Sequence, residues 1–180
     1  MIEAFDAGIL EFFQRLHTPV LTVIFHFFTS IGEAGMVWIV AGLLLLVMKN
    51  TRKYGCIVLF ALLMCLLLGN GLLKNLIARP RPCWRHPEIP MLIQVPTDYS
   101  FPSGHTFSSF AAAVSIWHWK KNYGYLAFGV AILIATSRLY FFVHYPTDIL
   151  GGAVFGTLIA LLSIWIIEII NGKTFKERRK

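Results

Sequence analysis

The amino-acid sequence predicts an all-α fold, a polytopic membrane helical bundle of about six transmembrane helices. Of its residues, 57% are hydrophobic and only 14% are charged, and the mean hydropathy is +0.67. Residues 54–73 and 149–167 contain no charged side chain, and each run is long enough as a helix to cross a hydrocarbon core of about 30 Å. Soluble domains rarely have this composition. We therefore expect a single integral membrane domain over residues 1–180.

Residues 1–17 predict a helix that precedes the bundle and lies at the membrane interface. Apolar and polar residues alternate there with helical spacing, and acidic residues stand where a secretory signal would have a basic leader. The residues that could share an apolar face are Ile2, Phe5, Ile9, Phe12, Phe13 and Leu16, and those expected elsewhere are Glu3, Asp6, Glu11 and Arg15. A cytosolic helix packed on the bundle is equally compatible with this pattern.

Residues 19–172 predict the transmembrane bundle. The runs 19–31 and 36–48 each measure only about 20 Å as helices, which is short against a hydrocarbon core of about 30 Å. The sequence Gly-Glu-Ala-Gly separates them as a tight turn. We interpret them as two short spans, and one long interrupted span is the alternative. The other four expected spans are residues 54–73, 106–119, 122–137 and 146–170.

Basic residues are distributed unevenly between the two sides that six spans would create. One side would hold Arg15, Lys49, Arg52, Lys53, Lys120, Lys121, Lys173, Lys176, Arg178, Arg179 and Lys180. By the positive-inside rule this side is the cytoplasm, so residues 173–180 are predicted to be a basic cytoplasmic tail. The predicted location is the cell (inner or plasma) membrane. The net charge of +7 does not indicate nucleic-acid binding, because most basic residues stand at the ends of apolar runs.

Three polar clusters stand at the ends of predicted spans and would meet on the extracytoplasmic side. The first cluster is residues 74–82, at the start of a polar loop over residues 74–102. The second is residues 102–105, and the third is residues 137–148. Lys74, Arg81 and Arg138 supply positive charge, and arginine binds phosphate oxygens in pairs. Ser103 and Gly104 stand where a helix begins, where unpaired N–H groups attract an anion. This set predicts a phosphate-binding cradle of the kind that phosphoryl transfer needs.

Two histidines supply groups for the chemistry. His144 precedes Asp148 by four residues, so Asp148 can accept a hydrogen bond from one ring nitrogen and leave the other free to attack phosphorus. His105 would protonate the leaving oxygen and then activate water. Each group alone has a plainer interpretation: Lys74 and Arg138 as interfacial anchors, His144 with Asp148 as a helix-start hydrogen bond, and Arg79 beside them as a lipid-headgroup contact.

The combined pattern Lys-x6-Arg-Pro, Pro-Ser-Gly-His and Ser-Arg-x5-His-x3-Asp resembles the signature of the type 2 phosphatidic acid phosphatase superfamily. The matching positions are Lys74, Arg81, Pro82, Pro102, Ser103, Gly104, His105, Ser137, Arg138, His144 and Asp148. The resemblance implies a metal-independent phosphatase without a cofactor, in which His144 is the nucleophile, Asp148 its orienting partner and His105 the general acid and base. It further implies that Lys74, Arg81, Ser103, Gly104 and Arg138 hold the phosphate.

The resemblance also implies a class of substrate and leaves alternative functions to consider. A site at the membrane surface suits a lipid phosphate, and undecaprenyl diphosphate is favoured over phosphatidylglycerol phosphate, phosphatidic acid and lipid A phosphates. The signature also occurs in vanadium-dependent haloperoxidases, but those are soluble. No carboxylate cluster suits magnesium and no Cys/His spacing suits zinc. A lipid-phosphate-binding membrane protein without turnover and a lipid transporter are the alternatives from other classes. Five aromatic residues, Phe101, Phe107, Tyr140, Phe141 and Phe142, could line a groove for the lipid chain or be ordinary interfacial side chains.

Overall fold

The computed structural model describes residues 2–177, and the side chains of residues 4–172. Within that range the chain forms helices and no strand, which confirms the all-α prediction. A single 3₁₀ turn, Glu33–Gly35, joins the second and third helices, and a π-helical segment, Cys65–Leu73, joins the fourth and fifth. The α-helices are α1 Ile2–Arg15, α2 Pro19–Ile31, α3 Met36–Val47, α4 Arg52–Met64, α5 Lys74–Ile77, α6 Pro82–Arg85, α7 Gly104–Trp119, α8 Lys121–Tyr140 and α9 Pro146–Glu177.

Three helices in the described range are long and apolar enough to cross a membrane, and a bent pair adds a fourth candidate. The three are Arg52–Arg85, Lys121–Tyr140 and Pro146–Gly172, and the pair is Pro19–Ile31 with Glu33–Val47, bent by 46°. Helix α7 is shorter, at 16 residues, but it packs along α4, α8 and α9 at the centre of the bundle. The expectation of six spans is not confirmed.

The first two apolar runs form one bent element. Ala34 and Gly35 adopt left-handed backbone conformations, with φ of 50° and 73°, where the two helices bend by 46°. Gly32 also lies close to α8, because a Cβ there would be 2.7 Å from Ile134 Cγ2. At one end Thr22 contacts Tyr140, and at the other Gly42 approaches Leu59. By length and composition this bent pair is a broken span or a re-entrant loop, and the choice between two short spans and one interrupted span stays a prediction.

The bundle has two chemically different ends. At the end we call the site end lie Lys74 at the start of α5, Gly104 at the start of α7, the last turn of α8 and the first turn of α9. At the opposite end, Lys53 and His118 both contact Glu168, at 3.1 Å each. Glycines bring α7 and α9 close together: a Cβ on Gly152 would lie 2.9 Å from the Ser103 carbonyl oxygen. This packing fixes the start of α7 against the start of α9.

Helix α1 packs at the site end, which corrects two sequence expectations. Leu10 is buried with Tyr140 and neighbouring residues, and Asp6 is 2% exposed. Asp6 was expected on a polar face away from the bundle, but it points into it. Arg15 was grouped with the basic residues of the opposite end, yet α1 packs on α8 and α9, and His17 just after it contacts the Tyr140 carbonyl at the site end. The predicted basic tail, 173–180, lies outside the residues whose side chains are described.

Candidate active site

A cavity of about 1260 Å³ opens near the site end. Six of the eight predicted site residues lie on its wall, although they come from four separate segments of the chain. They are Lys74, Arg81, Gly104, His105, Arg138 and His144. The prediction that the three polar clusters meet is therefore confirmed in the geometry. The remaining two, Ser103 and Asp148, lie behind the wall and are fully buried.

Arg81 is the central cation of the site. It lies just before Pro82, which begins α6, and its extended backbone (φ −73°, ψ 154°) directs it into the bundle. Its guanidinium donates to the Asp98 carboxylate and the Val143 carbonyl at 2.6 and 2.7 Å, and to His144 Nε2 at 3.0 Å. Arg81 therefore connects the loop after α6 to the turn between α8 and α9.

Asp98 is a site residue that the sequence motifs missed. Its carboxylate binds both Lys74 and Arg81, the two cations predicted to hold phosphate. Burial raises the pKa of the Asp98 carboxyl, but the bonds to Lys74 and Arg81 outweigh this and lower it to about 2. The side chain is half exposed to the cavity. The Asp98 carboxylate thus occupies the position where the sequence predicts a bound phosphate. The only sequence signal for this role is that Asp98 lies in the loop just before residues 102–105.

Arg138 has unused hydrogen-bonding capacity. It lies in the last turn of α8, is 5% exposed, and donates from Nη1 to the Thr29 hydroxyl. Among the described residues, its buried Nε has no hydrogen-bond partner. A buried guanidinium N–H without a partner is costly. Arg138 also lines the cavity, and this fits the predicted phosphate-binding role.

His144 carries the features of a nucleophile. Arginine can only donate hydrogen bonds, so the contact from Arg81 makes His144 Nε2 an acceptor and leaves the proton on Nδ1. Nδ1 lies 3.5 Å from Asp148 Oδ2 and 3.4 Å from the Ser100 hydroxyl. Burial, followed by the charges of Arg81, Arg138 and Lys74, holds the pKa of His144 well below its ordinary value. The Nε2 lone pair points to Arg81, and the ring lies on the cavity wall beside it.

Asp148 is held by several donors in the first turn of α9. Its Oδ2 accepts from the Tyr145 N–H at 2.8 Å and from the Ser100 hydroxyl. Its Oδ1 accepts from Arg79 at 2.5 Å. The orienting role predicted for Asp148 agrees with this placement beside His144, and Ser100 is a further contact that the motifs did not reveal.

His105 lies on the cavity wall in the first turn of α7 and faces the bend between α2 and α3. Its Nε2 lies 3.3 Å from the Thr29 carbonyl oxygen and 3.5 Å from Glu33 Oε2. Glu33 also lines the cavity and is a second carboxylate that the motifs missed. An imidazole in this position can exchange protons with a group bound in the cavity.

The start of α7 contributes backbone rather than side chains. Gly104 lines the cavity, and a Cβ there would lie 3.1 Å from Asn70 Oδ1. The Ser103 hydroxyl is turned away, because it accepts from Thr106 at 3.1 Å, while the Ser103 N–H donates to the Asp148 carbonyl at 3.2 Å. Pro102 lies just before the N-cap residue Ser103 of this helix. The predicted contact of the Ser103 hydroxyl with phosphate stays a prediction.

Two plainer interpretations from the sequence are corrected. Arg79 does not present its charge to lipid headgroups, since it is bound by Asp6 at 2.7 Å and Asp148 at 2.5 Å and packs on the Tyr145 ring at 4.0 Å. The aromatic residues suggested as a lipid groove are largely core residues: Phe107, Tyr140, Phe141 and Phe142 are buried. The apolar wall of the cavity is formed instead by Met36, Ile39, Leu59, Leu62, Leu63, Leu66, Ile93 and Val95.

Among the described residues, no three His, Cys, Asp or Glu side chains come together in a way that could hold a metal ion. The groups that converge on the cavity are cations and imidazoles, which suit an anionic ligand. The carboxylates present, Asp98 and Glu33, are bound to Lys74, Arg81 or His105. The chemistry of this donor set is therefore that of an oxyanion site.

The chain is similar to proteins of a known family. Residues 54–171 match the PAP2 superfamily. The "Undecaprenyl-diphosphatase" of Sulfolobus acidocaldarius is 35% identical over 136 residues, which cover 72% of this chain and 63% of that protein. The match therefore spans less than two thirds of that relative.

Two solved structures are similar over most of the chain. One is the first transmembrane PAP2 type phosphatidylglycerolphosphate phosphatase from Bacillus subtilis, with a TM-score of 0.73, 25% identity, and coverage of 96% of this chain and 87% of that one. The other is Aquifex aeolicus LpxE, with a TM-score of 0.77, 25% identity, and coverage of 88% and 94%. With the family match spanning well over half of its residues, this chain belongs to the PAP2 superfamily.

Proposed function

We propose that this protein removes phosphate from a membrane lipid phosphate through a phospho-histidine at His144. One observation carries the proposal: the buried His144 lines a cavity that also holds three buried cations, and its Nε2 accepts a hydrogen bond from Arg81 and therefore has a lone pair. A neutral imidazole is nucleophilic, and fixed cations stabilise the charge on a transferring phosphoryl group. A binding protein would need the cations but not the His144–Asp148 pair behind them.

Substrate binding exchanges one anion for another. The lipid phosphate displaces the Asp98 carboxylate from Lys74 and Arg81, and a phosphate oxygen accepts from the free Nε of Arg138. Once Arg81 turns to the phosphate, its bond to His144 Nε2 is released and that nitrogen can approach phosphorus. The N–H groups in the first turn of α7 supply further donors at Gly104.

The reaction proceeds in two displacements. His144 Nε2 attacks phosphorus, the N–P bond forms, and the bond from phosphorus to the lipid oxygen breaks while His105 gives that oxygen a proton. His105 then takes a proton from a water molecule, whose oxygen attacks phosphorus. The N–P bond breaks, phosphate leaves, and His144 returns to its neutral form with its Nδ1 proton still facing Asp148.

The substrate class follows from the wall of the cavity and from the relatives. The apolar residues of α3, α4 and the π-helical segment give the cavity a side that suits hydrocarbon, next to the polar site. The Sulfolobus relative named for undecaprenyl diphosphate supports that lipid as the substrate. The phosphatidylglycerolphosphate phosphatase of similar structure supports a glycerophospholipid phosphate as the alternative.

The proposed side of the site is extracytoplasmic. The described basic residues of the opposite end, Lys49, Arg52, Lys53, Lys120 and Lys121, stand in short loops that flank apolar helices. Such loops are cytoplasmic by the positive-inside rule. Four basic residues at the site end have anionic or polar partners, so the preference of basic residues for the cytoplasmic side need not apply to them. They are Lys74, Arg79, Arg81 and Arg138.

The test is phosphate release by purified protein in detergent micelles with excess EDTA. Undecaprenyl diphosphate, phosphatidylglycerol phosphate and phosphatidic acid are compared, with His144→Ala as the inactive variant and the exposed His86→Ala as its matched control. We expect release by wild type and His86→Ala, loss by about 10⁴-fold or more in His144→Ala, and an acid-labile, alkali-stable phosphate label on wild type and His86→Ala but not on His144→Ala. Lipid binding without release by wild type would support the non-catalytic alternative instead.

A further inference from the structure

Two charged residues, one buried and one partly buried, lie outside the cavity and have no part in the phosphate site as described. They are Asp6 of α1 and Arg79, which follows α5, and both contact the segment that carries Asp148. We propose that Arg79 and Asp6 are positioning residues that act through Asp148 to orient and polarise His144. This inference rests on the proposed function, because it assigns them a part in the same reaction.

Arg79 fixes the orientation of the Asp148 carboxylate. Its Nη1 donates to Asp148 Oδ1 at 2.5 Å and to the Thr147 hydroxyl at 2.7 Å. The other oxygen, Oδ2, is thereby turned to Ser100, the Tyr145 N–H and His144 Nδ1. Because each carboxylate oxygen has its own donors, the carboxylate cannot rotate without breaking several bonds.

Asp6 in turn fixes Arg79 and the start of α9. Asp6 Oδ2 accepts from Arg79 Nη2 and from the Thr147 hydroxyl, both at 2.7 Å, and Oδ1 accepts from the Thr147 N–H at 3.1 Å. The Thr147 N–H belongs to the first turn of α9, where no carbonyl of the same helix can bind it. A carboxylate from α1 thus caps the helix that carries Asp148.

The charges of the three residues explain why two acids are present. Arg79 alone would neutralise Asp148, and Asp148 would then attract a positive His144 only weakly. With Asp6 included, the group Asp6–Arg79–Asp148 has a net charge of −1. His144 becomes positive when Nε2 bonds to phosphorus, so a net negative charge beside Nδ1 stabilises the intermediate.

The effect of the group Asp6–Arg79–Asp148 can be measured through the protonation of His144. The groups that face the ring from the other elements are Lys74, Arg81, Arg138 and His105, and Asp148 faces it from α9. Since these neighbours are mainly cationic, a change of one charge in the acidic group alters how readily His144 takes a proton. The acid limb of the pH profile of kcat/KM reports that protonation, because only neutral His144 can attack.

The experiment compares pH profiles of wild type, Asp6→Asn, Arg79→Gln and the double variant. Asp6→Asn removes a negative charge and should move the acid limb to lower pH, whereas Arg79→Gln removes a positive charge and should move it to higher pH, each by about half a pH unit or more. The double variant keeps the net charge of −1 and should return the limb to the wild-type position. In both single variants kcat should fall on the order of 10-fold while KM stays nearly constant, because neither residue lines the cavity.

The controls separate positioning from a merely structural role. The exposed Glu11→Gln on α1 and Arg85→Gln on α6 should leave the profile unchanged, and Arg79→Lys should recover part of the lost kcat with the limb at its wild-type position. The proposal would be overturned if the acid limb of the kcat/KM profile stayed in place in both single variants. It would also be overturned if the variants lost folded protein and the protein that still folds showed no shift of this limb. If Asp6→Asn does not fold, Arg79→Gln decides alone. If the wild type were inactive, the proposed function would be refuted. If the wild type were active and the acid limbs of the variants were unshifted, only the positioning roles of Asp6 and Arg79 would be refuted.

Discussion

The two ends of the bundle contain the same kinds of residue in opposite physical situations. At the site end, Lys74, Arg81 and Arg138 are 5%, 2% and 5% exposed. At the opposite end, Lys53 pairs with Glu168, and their side chains are 36% and 45% exposed. A buried cation is costly unless an anion or polar groups compensate it, whereas an exposed ion pair contributes little. The difference teaches that burial, and not residue type, makes a cation part of a binding site.

The comparison also explains why the site end holds so many carboxylates. Asp98 binds Lys74 and Arg81, and Asp6 with Asp148 binds Arg79. Each buried cation of that end except Arg138 therefore has an anionic partner among the described residues, and Arg138 keeps a free Nε. Under the proposed function, the site end exchanges one internal anion for a phosphate, and the exposed ion pair of the opposite end has no such role.

The largest expected effect is a loss of activity when an arginine is removed from the site end, compared with the removal of one from the opposite end. Arg81→Ala should lower kcat/KM for lipid phosphate by about 10³-fold, because one guanidinium binds Asp98, Val143 and His144 together. Arg52→Ala, at the exposed opposite end, should leave kcat/KM within about twofold. Steady-state phosphate release measures both variants. Equal losses in the two variants would show that the ends do not differ in the way described.

The second contrast concerns close helix packing behind the site. A methyl group on Gly156 would collide with the Phe107 carbonyl oxygen of α7, while one on Gly129 of α8 would meet nothing within 4 Å. Gly156→Ala should therefore destabilise the protein by about 1–3 kcal/mol, and Gly129→Ala should change stability by less than about 1 kcal/mol, in the stabilising direction. Thermal unfolding midpoints in detergent compare the two. A Gly156→Ala midpoint equal to wild type would contradict the close contact of α7 and α9.

The third contrast removes the internal anion of the site end. Asp98→Asn keeps the shape of the side chain but gives up the charge that occupies Lys74 and Arg81, so competitive inhibition by inorganic phosphate should strengthen by about three- to tenfold. The exposed Glu88→Gln in the same loop is the matched control and should leave the inhibition constant unchanged. Weaker phosphate inhibition in Asp98→Asn would mean that Asp98 organises the cations and does not compete for them.

The pH dependence of this effect follows from the lowered pKa. Because the folded-state pKa of Asp98 is about 2, below its ordinary value, its ion pairs contribute stability above about pH 4 and lose it only as the pH falls towards 2. Asp98 therefore stays charged throughout an assay between about pH 5 and pH 9. The ratio of inhibition constants between wild type and Asp98→Asn should be constant over that interval, and a ratio that changes with pH would identify another titrating group.

Much of the fold and the site could be predicted from sequence because the informative features are local. Uncharged runs indicate helices whatever they pack against, and the motif residues stand at helix ends. That is why Lys74, Arg81, Gly104, His105, Arg138 and His144 could be grouped before their contacts were known. The bend between α2 and α3 was ambiguous, since two short apolar runs with a glycine-rich turn suit one span or two.

The missed features depend on contacts between distant segments. Helical periodicity shows which residues of α1 share a face, but not which face meets the bundle, so Asp6 was expected to point outward. Its bond to Arg79 joins residues 73 positions apart, and that of Asp98 to Lys74 joins residues 24 positions apart. Such pairings follow from tertiary packing, and no spacing rule in a single sequence contains them.

The smallest expected effect tests the opposite end itself. Lys53→Gln breaks the ion pair with Glu168 but leaves His118 as a partner of that carboxylate at 3.1 Å. Both charges are already solvated, so the loss of stability should be below about 1 kcal/mol and the activity should not change. Unfolding midpoints at low and high salt provide the measurement, and the small difference between variant and wild type should shrink as salt screens the pair. A loss as large as that from Gly156→Ala would show that this ion pair is buried in the folded membrane protein and that the two ends are alike.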